Sequence, residues 1–380
     1  MKIAFLTPEF PNSRSAKSGG LGTSLVNLAT ALARNEQQIF VVLFRQKENA
    51  VFVENGIEIH LVSAPKYFLF SAYRERKHLE KYVNNLIAEK QIDLVEAADW
   101  TGTTAFMNLD APLVVRFHGS DAYFCHLEGR KQRLKNFVLE KLGVHAADAF
   151  VAPTAFAGKL SKEIFNIDKP VQTIHYGLEL SNFDNPQPEI FEKGLILYIG
   201  TIIRKKGVFE LPEILESVLK NVPNAKLVLV GQDSADLQTG SKSTWKLLEK
   251  EFSSIAEHVE YVGKIPYDAV QEYIRRANVC IFPTFAETLG MVTIESMAMS
   301  KAVVNSNIGW SRELLVDGES GFLVHPHDHA LFASRIVDLL QNEALCTDLG
   351  SAARRRVEQL FDINKTVRQN IDFYEKVLRK

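Results

Sequence analysis

Short apolar runs alternate with longer amphipathic stretches along the whole chain, and this alternation is the feature that most constrains the fold. Runs of this length suit buried strands, and the stretches between them suit helices that cover a sheet. The pattern therefore predicts an α/β fold built on parallel sheets. The predicted strands are residues 3–6, 39–44, 57–62, 94–96, 113–117, 149–152, 171–174, 195–199, 226–230, 259–262, 279–282, 302–304 and 322–324.

The chain has 380 residues, which is too long for one ordinary hydrophobic core and predicts two domains. We expect a Rossmann-like domain at 1–180 and a second one at 195–360, joined by a linker at 181–194 that is rich in turn-forming residues. Residues 361–380 are expected to form a C-terminal helix that packs back on the first domain. Two doubly wound domains whose strand ends face one another would enclose a central cleft.

The net charge of −2 gives no general reason to expect nucleic-acid binding. Cys125, Cys280 and Cys346 are widely spaced and form no metal-binding pattern, so a reducing cytoplasm is the expected location. No segment approaches the roughly 18 apolar residues that span a bilayer. The sequence therefore predicts a soluble cytoplasmic protein, with the inner membrane surface as a second possible place of action.

Two carboxylates flank the start of a predicted helix after strand 279–282. Glu287 lies in the loop before the helix, Gly290 opens it, and Glu295 lies in its early turns. Uncapped amides at a helix N-terminus bind phosphate, and carboxylates accept hydrogen bonds from neutral hydroxyls. A nucleotide sugar has phosphates in its middle and hydroxyls at both ends, and it fits this pattern.

A glycine-rich turn follows the first predicted strand. It contains Gly19, Gly20 and Gly22, and the helix after it is expected to run from about residue 24 to residue 34. Glycines at such a turn let the backbone approach a phosphate closely. The spacing is not G-x-G-x-x-G, and no acidic residue ends the second strand near Phe44, which argues against a nicotinamide-dependent dehydrogenase.

His118 follows strand 113–117 and is the candidate active-site residue of the first domain, with Asp121 as a candidate to orient it. A purely structural role for His118 is an alternative that local sequence leaves open. In the second domain, Arg204 and Lys206 follow strand 195–199, where cations would stabilise a departing diphosphate. No D-x-D pattern occurs, so we expect no metal and no cofactor.

Several of these segments resemble the retaining glycosyltransferases of family 4, also called glycosyl transferases group 1, which have the GT-B fold. The resemblance rests on the E-x7-E spacing of Glu287 and Glu295, the glycine turn, Lys206, and the segments 175–183 and 313–324. These matches occur in the family's order and cover nearly the whole chain.

The resemblance implies roles for individual residues. His118 would contact the donor sugar near the reacting carbon, Glu287 would bind sugar hydroxyls, and Lys206 would bind the diphosphate. The remaining donor-binding candidates are Gly19, Gly20, Gly22, Gly263, Gly290, Met291, Val292 and Glu295, with Glu295 on the ribose and Gly263 near the nucleobase. Thr201 stands where the family has an Arg, and Arg204 is the candidate to replace that charge.

The function implied is metal-independent, retaining transfer of a sugar from a UDP- or GDP-sugar to an acceptor hydroxyl. The acceptor would be a sugar, a polysaccharide or a lipid-linked glycan. The aromatic and basic segment 67–90 is a candidate for peripheral membrane contact, and an ordinary solvated helix is the alternative interpretation of that segment. The alternatives are a nucleotide-sugar 2-epimerase and a nucleotide-sugar-binding protein that has lost catalysis.

Overall fold

A computed structural model describes residues 1–14, 20–65 and 67–379. The chain divides into two compact units, Met1–Leu178 with Ile363–Lys380, and Glu179–Asp362. Each unit contains a mainly parallel sheet with helices, which confirms the expected pair of Rossmann-like domains. The residues expected as a linker, 181–194, lie inside the second unit. No helix among the described residues is both long enough and apolar enough to cross a membrane.

The first unit contains, over its described residues, an eight-stranded sheet in the order β3-β4-β2-β1-β5-β6-β7-β8. Only β3 runs antiparallel to its neighbour. The strands are β1 (Lys2–Thr7), β2 (Gln38–Gln46), β3 (Ala50–Glu54), β4 (Ile57–Ser63), β5 (Leu94–Ala98), β6 (Leu113–Arg116), β7 (Ala149–Ala152) and β8 (Val171–Thr173). The helices are α1 (Gly20–Arg34), α2 (Ser71–Lys90), α3 (Asp121–Leu127), α4 (Leu134–His145) and α5 (Ala155–Phe165).

Both faces of this first sheet are buried. Along β1, Ile3 and Phe5 join one hydrophobic cluster, whereas Ala4 and Leu6 join another. This alternation follows from the two-residue period of a strand. Each large apolar side chain buried in this way contributes about 1.5–3 kcal/mol to folding, which explains why these strands appear as continuous apolar runs in the sequence.

The second unit contains an all-parallel sheet in the order β11-β10-β9-β12-β13-β14. Its strands are β9 (Leu195–Ile199), β10 (Lys226–Val230), β11 (Val259–Gly263), β12 (Val279–Phe282), β13 (Ala302–Ser306) and β14 (Phe322–Val324). Its helices are α6 (Leu211–Leu219), α7 (Trp245–Glu251), α8 (Tyr267–Arg276), α9 (Met291–Ala298), α10 (Ser311–Leu314), α11 (His329–Gln341) and α12 (Glu343–Leu360). The strand order reverses between β9 and β12, and ligands of open parallel sheets bind at such a topological switch point.

The last helix, α13 (Ile363–Leu378), belongs to the first unit. Its Asn370 and Tyr374 contact a buried ion pair between Arg116 of β6 and Glu96 of β5. The guanidinium donates to both Glu96 oxygens, at 2.6 and 2.9 Å, and the Tyr374 hydroxyl donates to Glu96 at 2.7 Å. These hydrogen bonds compensate the buried charges, so α13 completes the polar interior of the first unit.

Candidate functional site

The loops that follow β9 and β12 lie side by side because these two strands are neighbours in the sheet. The amide of Phe285 donates to the carbonyl of Lys205 at 2.9 Å. Gly207 adopts a φ of 70°, and a Cβ built there would lie only 1.7 Å from the Pro283 carbonyl oxygen. Glycine is therefore needed for both the backbone conformation and the close approach of the two loops.

Lys206 and Glu287 form an ion pair between these two loops. Both side chains are about four-fifths buried. Burial lowers the pKa of Lys206 to about 7, whereas the Glu287 carboxylate acts in the opposite direction by favouring the ammonium form. The structure thus brings together the two residues predicted as catalytic in the second unit, although they are far apart in sequence.

Helix α9 begins at Met291, shortly after Glu287 of this ion pair in the chain. Gly290 precedes its first residue with a φ of 102° and, as a glycine, has no side chain to cap the helix start that includes Met291 and Val292. Glu295 lies one turn further on and is 2% exposed. The Tyr267 hydroxyl donates to its carboxylate at 2.6 Å, and burial raises the pKa of Glu295 to about 7. The predicted phosphate-binding amides and the predicted ribose-binding carboxylate thus belong to one short helix.

Arg204 turns to a different partner from Lys206. Its guanidinium makes a bidentate ion pair with Asp236, with both contacts at 2.9 Å, and stacks on the ring of Phe209. The hydrogen bonds from Arg204 hold the pKa of Asp236 well below its usual range. Thr201 is exposed, and its carbonyl accepts a hydrogen bond from the Tyr198 hydroxyl. In this structure the charge of Arg204 is compensated by Asp236.

Gly263 ends β11 with a φ of 82°, and its carbonyl accepts the amide of Gly231 at 2.9 Å. The Tyr261 hydroxyl in turn donates to the Gly231 carbonyl at 3.0 Å. These bonds join the ends of β10 and β11. They fix the backbone at the position where the resemblance implies contact with a nucleobase.

In the first unit, His118 follows β6 and is held from two sides. Its backbone amide donates to Asp99 at 2.9 Å, and its ring Nδ1 lies 2.7 Å from the Tyr176 hydroxyl. Burial and the nearby Arg116 guanidinium lower the pKa of His118 to about 3. The imidazole is therefore neutral at pH 7, so it can exchange hydrogen bonds with a ligand but cannot supply a positive charge.

The expectation that Asp121 orients His118 is wrong. The Asp121 carboxylate instead accepts a weak hydrogen bond from the Cys125 thiol and lies 3.7 Å from Arg130. Asp121 is the first residue of α3, which directs its side chain along that helix. Tyr176 is the residue that reaches the ring of His118.

The glycine-rich turn needs a second correction. The described part of α1 already begins at Gly20, four residues earlier than expected, so Gly20 and Gly22 lie in its first turn. Gly19 lies outside the described residues. Ser24 of the same helix lines a small cavity together with His118 and Tyr176. The start of α1 and the candidate active-site histidine therefore share one surface of the first unit.

Two family models match consecutive parts of the chain. The model described as Glycosyltransferase Family 4 matches residues 18–182, and the model described as Glycosyl transferases group 1 matches residues 182–356. The chain belongs to the family 4 glycosyltransferases. The family suggested by the sequence motifs is thus confirmed.

Curated relatives of this glycosyltransferase are distant. The capsular polysaccharide biosynthesis glycosyltransferase CapM of Staphylococcus aureus is 24% identical over 59% of this chain and 60% of its own length, so this match spans less than two thirds of that relative. An alpha-1,4-N-acetyl-D-galactosaminyltransferase of Campylobacter jejuni, named for a GalNAc-containing diNAcBac-PP-undecaprenol substrate, is 23% identical over 96% of this chain and 95% of its own length.

Solved structures share the fold of this glycosyltransferase over its full length. Sucrose-phosphate synthase from Thermosynechococcus elongatus superimposes with a TM-score of 0.81 at 19% identity, covering 100% of this chain and 99% of that one. Anabaena HepE in complex with UDP and glucose gives a TM-score of 0.74 at 17% identity, covering 99% of each chain. At these identities the likeness establishes the GT-B fold.

Four residues that contact the candidate site were missed from the sequence of this glycosyltransferase. They are Asp99, which holds the His118 backbone; Tyr176, which contacts its ring; Asp236, which pairs with Arg204; and Tyr267, which donates to Glu295. Asp99 follows β5, where ligand-binding residues of parallel sheets are found, so its position was a usable signal. The other three depend on contacts between distant segments.

Proposed function

We propose that this glycosyltransferase moves a sugar from a nucleoside-diphosphate sugar to an acceptor hydroxyl, keeping the α configuration of the donor and using neither a metal nor a cofactor. The observation that carries the proposal is the ion pair of Lys206 and Glu287, which lies at the switch point of the second sheet and just before the start of α9, where the N-cap residue is Gly290. A cation, a carboxylate and phosphate-binding amides are the groups that a nucleotide sugar requires.

Donor binding is assigned to the second unit. The amides at Gly290, Met291 and Val292 bind phosphate through the partial positive charge of the helix start. Glu295 accepts hydrogen bonds from the ribose hydroxyls, and each such charge-assisted bond contributes about 1.5–3 kcal/mol. The backbone at Gly263 binds the edge of the nucleobase.

Lys206 acts at the leaving group. Negative charge grows on the diphosphate oxygen as the bond to the sugar breaks, and a positioned ammonium stabilises that charge. In the structure, the Lys206 ammonium contacts the Glu287 carboxylate. When the donor binds, its diphosphate replaces that carboxylate as the negative partner of Lys206. Glu287 accepts hydrogen bonds from the sugar hydroxyls.

The first unit supplies acceptor binding and His118. A neutral imidazole donates one hydrogen bond to a sugar hydroxyl without competing with Lys206 for the diphosphate. No carboxylate is assigned as a nucleophile. We therefore propose front-face substitution, in which the acceptor oxygen bonds to the anomeric carbon, the diphosphate leaves, and a departing phosphate oxygen takes the acceptor proton. Trapping of a covalent glycosyl-enzyme would contradict this mechanism.

The preferred donor is a UDP-sugar, with a GDP-sugar as the second choice, because the structurally similar HepE was crystallised with UDP and glucose. A polysaccharide or lipid-linked glycan is the proposed acceptor, as the names of CapM and the Campylobacter enzyme suggest. Peripheral membrane contact is assigned to the exposed side chains of Phe68 and Phe70, just before α2, and of Tyr73 in its first turn. Arg76 takes no part in it, because its guanidinium is buried and bonds to the carbonyls of Thr101 and Gly102.

Thermal unfolding against UDP, GDP, ADP and their sugars, with NAD as the control, tests donor binding first. A ligand at 100 times its dissociation constant stabilises the folded state by about 2.7 kcal/mol, which is easily measured. A selective shift with one nucleotide is expected, and its sugars then enter acceptor screens in the presence of EDTA. NMR of the anomeric proton of the product tests retention. No shift with any nucleotide would contradict the proposal.

A nucleotide-sugar-binding protein without catalysis is the second candidate. It is favoured by the exposed Thr201 at the family's arginine position and by the pairing of Arg204 with Asp236. Such a protein would show the thermal shift but neither transfer nor hydrolysis of the sugar. Incubating the donor without acceptor and assaying for a 2-epimer distinguishes an epimerase, which would form it, from the transferase and the binding protein, which would not.

A further inference from the structure

Three histidines occur within five residues at 325–329, just before and at the start of α11. His329 lies between two carboxylates: its Nε2 is 2.6 Å from Glu210 and its Nδ1 is 2.6 Å from Glu213. His327 approaches the same Glu210 oxygen through Nδ1, at 3.3 Å. Two imidazoles therefore converge on one carboxylate oxygen.

The geometry of this cluster suits a metal ion. One ligand atom from each of Glu210, His327 and His329 lies within 4.8 Å of the other two. Two His and one Glu are a donor set that zinc binds, with water at the fourth position. Two ligands at about 2.0 Å from a tetrahedral ion are about 3.3 Å apart, so the His329–Glu210 contact needs to widen by less than 1 Å. The His327 side chain is 65% exposed, which leaves a path for the ion to enter.

The supporting contacts are also those of a metal site. Metal-bound histidines usually donate their other ring N–H to a carboxylate, which fixes the tautomer and the ring orientation. Glu213 is the carboxylate that contacts Nδ1, the second ring nitrogen of His329. Glu210 directly precedes α6 and His329 begins α11, and these two helices pack together, so the ligands come from positioned elements of the scaffold.

We propose that Glu210, His327 and His329 bind a divalent transition-metal ion of the zinc class, with Glu213 orienting His329. These ligands are distinct from the residues assigned above to the donor diphosphate, and the proposal does not depend on the proposed function. The ion would join the segment before α6 to the segment before α11. The ring of His327 also packs on Phe285, with ring centroids 4.7 Å apart, so the bound ion would restrain the loop after β12.

Titration of the chelator-treated full chain with Zn²⁺, followed by calorimetry, tests the site. We expect one ion per chain. His327→Ala and His329→Ala should weaken Zn²⁺ binding by about 100-fold or more, because loss of even an outer-shell partner costs about 10- to 100-fold. Glu213→Gln changes only the outer-shell partner of His329, so it should weaken Zn²⁺ binding by about 10- to 100-fold. Co²⁺ in place of Zn²⁺ should give visible absorption bands in the wild type that both histidine variants lack.

His126→Ala is the matched control, because His126 is exposed but lies outside the cluster, in the first unit. It should leave Zn²⁺ affinity unchanged. His327 is mostly exposed, so its replacement should not prevent folding, and far-UV circular dichroism checks this. No Zn²⁺ binding by the wild type, equal affinity in the wild type and His327→Ala, or an equal loss in His126→Ala would each overturn the proposal.

Discussion

Gly207→Ala tests whether the contact between the loops after β9 and β12 is essential for transfer. A Cβ at this position would lie 1.7 Å from the Pro283 carbonyl oxygen, and real Cβ atoms essentially never approach within 3.0 Å. The loops must therefore separate by at least 3.0 − 1.7 = 1.3 Å. Lys206 directly precedes Gly207, so this separation should pull its ammonium away from Glu287.

The size of the effect follows from the displacement. A shift of about 1 Å in a reacting geometry can cost about 100-fold in rate, and we expect Gly207→Ala to lower kcat by about that factor. Overpacking adds about 1–3 kcal/mol of destabilisation. Alanine at positive φ also costs about 1–2 kcal/mol, partly offset by the lower entropy of the unfolded chain.

Gly318→Ala is the matched control for this backbone cost. Gly318 has a φ of 74° against 70° for Gly207, and a Cβ there meets no atom within 4 Å. It should lose a similar amount of stability through strain yet keep kcat within about 3-fold. Steady-state transfer assays and urea unfolding of both variants are the measurements. Equal activity losses in the two variants, or a fully active Gly207→Ala, would refute the reasoning.

Four further predictions concern single side chains. Lys206→Ala should lower kcat by about 10- to 150-fold with a smaller rise in KM, since the charge it stabilises develops in the transition state; the reverse pattern in steady-state kinetics would assign it to ground-state binding. The Glu295 carboxyl, with a pKa near 7, ionises between pH 6 and pH 8, so the calorimetric donor affinity of the wild type relative to that of Glu295→Gln should rise over this range and reach about 10- to 100-fold at pH 8; Lys206 titrates in both proteins and cancels in this ratio. His118→Ala should lose at least about 100-fold in transfer but retain nucleotide binding, whereas loss of the hydrogen bond in Tyr176→Phe should cost about 5-fold. Arg116→Met should lower the free energy of unfolding by about 3–5 kcal/mol in urea titrations, because it leaves Glu96 buried and unpaired.

The strands were predictable because strands that are buried on both faces of a sheet appear in the sequence as continuous apolar runs. Each of the 13 predicted strands is found in the described part of the chain, five of them with identical bounds. The strand that was missed, β3, is an edge strand of alternating burial, and its residues do not form a long apolar run. The Asn55-Gly56 pair after it, with φ values of 52° and 79°, is a hairpin signal that could have revealed it.

The partners of the site residues were not predictable, because they join segments far apart in the chain. Lys206 meets Glu287 across 81 positions and Arg204 meets Asp236 across 32. The run of three cations at 204–206 carries no signal of which way each side chain turns. That direction is set by the carboxylate available at the end of the neighbouring strand, which only the sheet order reveals.

The sheet order also explains why two neighbouring cations have different roles in the proposal. β9 has β10 on one side and β12 on the other, and the switch point lies on the β12 side. Arg204 turns to Asp236 in the segment after β10, whereas Lys206 turns to Glu287 in the loop after β12. Of these two cations, Lys206 is therefore the one at the switch point. Arg204 could take the place of the family's missing arginine only by breaking its bidentate contact with Asp236. The Asp236 side chain is 99% buried, so its carboxylate would then be left buried without its charge partner.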